Sequence, residues 1–207
     1  FKDPSKPLHV DIGSARGGFC VAYAALHEDI NVLGLEIRDA LVVSANRRRR
    51  EVGLDNCFFL FSNANVDTRN ICGEVADFAK IRSFSIQFPD PHFKKRNHKR
   101  RVVQKELVDT VVDALQEGGF VFLQGDVFEV VVDMRQKFAE HPDLEDTLFS
   151  KDELSEWIYD EDIDETRVDR WLPENPLQVP TDRERLVISE GSPVYRCLLE
   201  KKPKKSS

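Results

Sequence analysis

Five short apolar runs recur through the first 125 residues, and the segments between them carry helical periodicity. LHVDI (8–12), VLGLEI (32–37), CFFLF (57–61), SFSIQF (83–88) and FVFLQG (120–125) are each five or six residues long and almost continuously apolar, as strands covered on both faces must be. Helices are expected at about 18–28, 39–52, 68–79, 104–116 and 128–139. Repeated strand–helix units with right-handed crossovers imply a doubly wound parallel α/β sheet with helices on both faces.

The pattern breaks after residue 140. Residues 152–169 hold nine acidic residues and one basic residue, and RWLPENPLQVPTDRE follows with three prolines. The first stretch reads as an acidic surface insertion at about 150–170 and the second as an extended loop. PVYRCLLEKK (193–202) restores a last strand, and 201–207 reads as a basic, disordered tail. With 207 residues and 41% apolar content, one domain spanning 1–207 is expected.

Thirty Lys/Arg against 37 Asp/Glu give a net charge of -7, which excludes a surface that coats nucleic acid or anionic membrane as a whole. Contact with a polyanion must be local. Cys20, Cys57, Cys72 and Cys197 are too scattered for a zinc site or a disulfide framework, so no metal and a reducing compartment are expected. No apolar run approaches the roughly 20 residues of a membrane span. The first residue is Phe1 rather than Met, so an upstream segment, such as a targeting peptide, is expected to precede it.

In sheets of this kind ligands bind beyond the carboxyl ends of the strands, and here those ends are polar. The first runs into DIGSARGGF, where Gly13, Gly17 and Gly18 allow close backbone approach to a ligand; taken alone, this loop is an equally good plain turn. Glu36 ends the second strand 23 residues after Gly13, where a carboxylate can accept from both hydroxyls of a ribose. Asp11 argues against a pyrophosphate cofactor and suits a cationic one, such as S-adenosylmethionine with its sulfonium and ammonium groups. Asn63 can read an adenine edge or simply form a turn.

The fourth strand ends in QFPDPHFKKRNHKRR (87–101), in which six of the last eight residues are Lys or Arg. Two prolines fix Asp90 beside the expected cofactor, and the residue before each proline is biased toward extended backbone. Lys94, Lys95, Arg96, Lys99, Arg100 and Arg101 then form a candidate phosphate-binding patch at the same edge. The RRRR run at 47–50 reads instead as the solvated face of a helix.

DIGSARGGF, GLEIR, SNA, QFPDPHFKKRNHKRR and TDRE, in this order and spacing, resemble the tRNA (guanine-N7-)-methyltransferase family, most closely its cyanobacterial and plastid branch. The resemblance covers nearly the whole chain. It implies a class I, Rossmann-like methyltransferase fold of seven strands, mostly parallel with the last ones antiparallel. It also implies methyl transfer from S-adenosyl-L-methionine to N7 of a variable-loop guanosine, guanine-46, in tRNA. By the same resemblance Asp11, Gly13, Glu36, Ile37, Arg38, Asn63, Ala64 and Gln87 line the cofactor, Asp90 is the catalytic-site carboxylate, and Lys94, Asp126, Thr181, Asp182, Arg183 and Glu184 contact the substrate or close over the cofactor. Ala15 departs from the family pattern, standing where many members have glycine.

Two rival functions are a methyltransferase for an exocyclic base amine, although FPDPHF lacks the adjacent prolines of that motif, and a catalytically silent RNA-binding protein of the same fold. A nicotinamide-dependent dehydrogenase fits less well, because of Asp11 and the glycine spacing. The partner is expected to be tRNA and the chain a monomer or homodimer; a β-propeller partner is not indicated. The expected compartment is a plastid stroma or a cytoplasm.

Overall fold

A computed structural model describes residues 1–158 and 168–203. Its strands are β1 (Leu8–Ile12), β2 (Asn31–Glu36), β3 (Cys57–Phe61), β4 (Ile81–Gln87), β5 (Leu115–Gly125), β6 (Leu144–Asp146) and β7 (Tyr195–Lys201). They form one seven-stranded sheet in the order β3-β2-β1-β4-β5-β7-β6. The first five pair in parallel, β7 runs antiparallel to β5, and β6 runs antiparallel to β7. The helices are α1 (Gly18–Leu26), α2 (Asp39–Glu51), α3 (Ala64–Ala76), α4 (Lys105–Ala114), α5 (Phe128–Ala139), α6 (Lys151–Ile158) and α7 (Asp182–Ser189).

Alternation along the strands separates two cores. Leu8, Val10, Ile12, Phe84, Ile86, Val121 and Leu123 face α3, α4 and α5, contributing to a cluster with Leu107, Val111, Val131, Met134 and Phe138. The opposite face packs Val32, Phe59 and Phe122 against Phe19, Cys20, Tyr23 and Ala45 of α1 and α2. The same parity places His9, Asp11, Ser83, Ser85 and Gln124 on this second face, all buried. A strip of polar side chains therefore crosses the sheet beneath α1.

Several elements differ from the sequence reading. The third helix begins at Ala64 rather than near 68, because Asn63 caps it by accepting from Asn65 N. The β6 strand is three residues long, too short to give a periodic signal. In the expected acidic insertion, residues 151–158 form α6, which buries Leu154 and Trp157 in the main core; residues 159–167 lie outside the described residues. The proline-rich loop is packed rather than free, since it buries Trp171, Leu177 and Val179. The tail was expected from 201, yet Lys201 is still in β7 and its Nζ donates to the carbonyls of Val112 and Leu115; residues 204–207 lie outside the described residues.

A buried anchor holds the far side of the sheet. Arg135 donates to both carboxylate oxygens of Asp146 at 2.7 Å and to Arg170 O at 2.7 Å, and its guanidinium lies against Phe149, Trp157 and Trp171.

Candidate active site

The loop after β1 is built by left-handed backbone. Gly13 has φ 85 and Gly17 φ 72, and Gly13 N and Ser14 N both donate to Leu35 O. A side chain at Gly13 would meet nothing within 4 Å, which leaves that backbone open to a ligand. Gly17 answers to packing instead: a Cβ there would come within 2.5 Å of the Phe59 ring. Ala15 also adopts a left-handed φ of 49, so the loop keeps its shape at the expense of local strain.

Ala15 N donates to Glu36 Oε2 at 2.9 Å, while Glu36 Oε1 accepts from Arg38 N and Arg38 Nε, each at 3.0 Å. The bond that Arg38 donates to Glu36, then the negative charges of Glu36 and Asp90, raise the Arg38 pKa.

Asp11 is buried under the loop. Its Oδ1 accepts from Ser85 Oγ at 2.6 Å and Gln87 Nε2 at 3.1 Å, and Cys20 Sγ donates to Oδ2 at 3.4 Å. Among the described residues no cation offsets its burial, and desolvation raises its pKa despite these bonds. The single Ser85 hydroxyl proton goes to Asp11, so His9 Nε2 donates to Ser85 Oγ at 3.0 Å and His9 Nδ1 accepts from Ser83 Oγ at 2.7 Å. Burial lowers the His9 pKa to about 3 and keeps the imidazole neutral.

The polar strip continues through two residues that the sequence reading missed, Gln124 and Arg196. Gln124 Nε2 donates to Gln87 Oε1 at 2.7 Å and to Glu184 Oε2 at 3.0 Å, and Arg196 donates to Gln124 Oε1 and Glu184 Oε1. Glu184 also completes a capping box with Thr181 at the start of α7 and accepts from Asn175. The Glu184 carboxylate is thus buried and filled by protein donors, and it fixes the TDRE segment. Elsewhere in that segment Arg183 pairs with Asp126, and the Asp182 carboxylate stands 3.2 Å from where a Cβ on Gly18 would be, beside the first turn of α1. The buried polar ends of β5 and β7 were the signal that could have revealed Gln124 and Arg196.

The QFPDPHF turn contains two left-handed residues, Phe88 at φ 49 and His92 at φ 46, on either side of Asp90. Phe88 precedes a proline, where extended backbone was expected; its N–H bonds Gln124 O at 2.8 Å, which fixes the turn to β5. Asp90 itself is exposed. The basic run forms a short 3-10 helix, Lys95–Arg100, and Lys94, Lys95, Arg96, Lys99 and Arg100 are exposed. Arg101 departs from the expected patch. Its guanidinium is buried, donates to Pro91 O at 3.1 Å and pairs with Asp133 at 3.3 Å, tying the turn to α5. Arg49 of the RRRR run likewise lies 3.8 Å over the Phe58 ring rather than in solvent.

A nucleoside-bearing cofactor fits this edge. The open backbone at Gly13, the Glu36 carboxylate at the end of β2, the exposed Ile37 and the amide donors left on Asn63 supply the contacts that such a group requires. The described residues contain no cluster of His, Cys, Asp or Glu able to hold a metal, and no helix long and apolar enough to cross a membrane.

Residues 5–197 match a family model described as "Putative methyltransferase". The tRNA (guanine-N(7)-)-methyltransferase of Synechococcus elongatus is 44% identical over 98% of this chain and 85% of its own length. The chain belongs to the tRNA (guanine-N7-)-methyltransferase family. The enzyme of the same name from Synechocystis is 43% identical over 98% of this chain and 86% of its own length. Among solved structures, an rRNA methylase from Streptococcus thermophilus aligns with a TM-score of 0.54 at 13% identity, covering 96% of this chain and 89% of that one. A Streptococcus mutans methyltransferase in complex with SAH aligns at 0.50 and 9% identity, over 95% and 89% of the two chains. Both share the overall fold of this chain.

Proposed function

We propose that this member of the family transfers the methyl group of S-adenosyl-L-methionine to N7 of guanine-46 in the variable loop of tRNA. The observation that carries the reading is Asp90, an exposed carboxylate on a strained turn at the carboxyl edge of the sheet, with five exposed cations in the ten residues that follow it. The names of relatives 44% and 43% identical to it support the substrate class.

S-adenosyl-L-methionine supplies an electrophilic methyl carried on a sulfonium. Glu36 accepts from the ribose hydroxyls, and because Arg38 already fills Oε1, its guanidinium, 65% exposed, swings aside to free that oxygen. Asp11, with no counter-charge of its own, is matched to the ammonium group. Gly13, Ile37, Asn63, Ala64 and Gln87 complete the lining.

Guanine N7 has an in-plane lone pair and no proton, so no general base is needed. The work of the site is alignment, which can lower the barrier by up to roughly 7–11 kcal/mol. Asp90 and Asp126 accept from guanine N1–H and the N2 amino group, orienting N7. They also stabilise the positive charge that grows on the base, which favours the transition state over the ground state. Arg183 occupies Asp126 Oδ2, so Oδ1 is the oxygen offered to the base. Thr181 and Asp182 border the pocket, and Lys94, Lys95, Arg96, Lys99 and Arg100 meet tRNA phosphates.

The test is methyl transfer to unmodified tRNA transcripts, with the product mapped by borohydride–aniline cleavage. Cleavage at guanine-46 is expected; a methyl on an exocyclic amine, or none despite cofactor binding, overturns the reading.

A further inference from the structure

Phe93 is the most exposed large apolar side chain among the described residues, at 73%. Isolated exposed apolar residues are common and need no explanation by themselves. Phe93 differs in its setting. The left-handed φ of His92 turns the chain immediately before it, and Asp90 lies three residues upstream on the same turn. Exposed Lys94, Lys95 and Arg96 follow directly. Both ends of this segment are fixed, by Phe88 N on Gln124 O and by the Arg101 guanidinium on Pro91 O and Asp133. No other aromatic ring and no cation stacks on Phe93 among the described residues. The ring is therefore largely exposed, on a backbone segment anchored at both ends that also carries a carboxylate and a cation run.

We propose that Phe93 is a stacking platform for an unpaired nucleobase of the tRNA beside the reacting guanine. This rests on the functional reading above and adds to it a residue that grips the opened loop. An exposed aromatic beside cations is what single-stranded RNA recognition requires: the cations hold phosphates without regard to sequence, and the ring face receives a base freed from its neighbours. The stack holds the flanking base in place while the carboxylates orient the target, so Phe93 acts on substrate capture and not on the cofactor.

The experiment measures tRNA binding by fluorescence anisotropy, and kcat and KM for methyl transfer, with wild type, Phe93→Ala, Phe93→Leu and Phe93→Tyr. S-adenosylmethionine affinity is measured by calorimetry on the same proteins. Phe93→Ala should weaken tRNA binding by about 5- to 150-fold, the range for one stacked base. Phe93→Tyr should restore binding to within about threefold, and cofactor affinity should not change. Phe93→Leu separates stacking from greasiness, because it keeps an apolar side chain and loses the ring; binding near the wild-type value overturns the proposal. Unchanged binding in Phe93→Ala overturns it as well. Wild type that binds tRNA without methylating N7 sinks the functional reading alone, since the binding series still judges Phe93; wild type that does not bind tRNA overturns both.

Discussion

Glu184 and Arg196 form an ion pair of 2.9 Å in which neither side chain is more than 9% exposed. This pair joins the last strand to the helix that borders the site, and Gln124 bonds to both members. Glu184→Gln leaves Arg196 buried without its counter-charge, which should cost about 3–5 kcal/mol. Thermal denaturation should show Tm lowered by about 6–20 °C for a chain of this size. A double variant, Glu184→Gln with Arg196→Met, should recover part of that loss, because no buried charge is then left unpaired.

Asp90 is exposed on its turn. Asp90→Ala should lower kcat for tRNA methylation by at least 100-fold, while calorimetry finds cofactor affinity within about threefold of wild type. Lost cofactor binding would instead reassign Asp90 to the cofactor pocket.

His9 should give stability a pH dependence. Its folded pKa, about 3, lies below the 6.5 of the unfolded chain, so the unfolded state binds the extra proton between those values. The stabilisation is fully present above about pH 6.5 and is lost as pH falls toward 3, at up to about 1.4 kcal/mol per pH unit. Asp11 acts in the opposite sense: its raised pKa makes the folded state bind the proton more tightly above pH 3.8. Comparing urea midpoints of wild type and His9→Gln from pH 7 to pH 4 isolates the histidine, and the variant should show the shallower decline.

At position 15 the left-handed φ of 49 favours glycine. Ala15→Gly should leave stability within about 1 kcal/mol of wild type, since relief of strain offsets the greater freedom of the unfolded chain. Ala15→Val should destabilise the loop and weaken cofactor binding, because a β-branched residue resists that conformation. Chemical denaturation and calorimetry check the two outcomes.

Neighbouring arginines should behave differently. Arg100→Ala removes an exposed cation, so tRNA affinity should fall and the salt dependence of binding should lose about one unit of slope, with the melting temperature unchanged. Arg101→Ala strips Pro91 O of its partner and leaves Asp133 paired with Lys137 alone, so its first effect should be on stability.

Four polar strand ends were legible as such, because a carboxylate closing an apolar run stands out against its neighbours, whereas Gln124 and Arg196 did not. Asp11, Glu36, Asp90 and Asp126 all stand at the carboxyl edge. Arg101 was not legible, because its place in the run looks the same as that of Arg100; only the turn of backbone after the 3-10 helix sends one inward to Asp133 and leaves the other in solvent. The α6 helix was hidden by the acidity of the stretch it opens, since nine acidic residues over 152–169 mask the two apolar side chains, Leu154 and Trp157, that dock it.

By itself the sequence determined the strand–helix alternation, the sheet with two covered faces and the edge where chemistry gathers, because all three follow from local periodicity and from the cost of burying polar groups. Tertiary structure alone decided that Asp11 meets Ser85 and Gln87, and that Gln124 meets Glu184. Those partners lie 74, 76 and 60 residues apart along the chain. They come together only because β1 sits beside β4, β4 beside β5 and β5 beside β7, a strand order that local sequence does not encode.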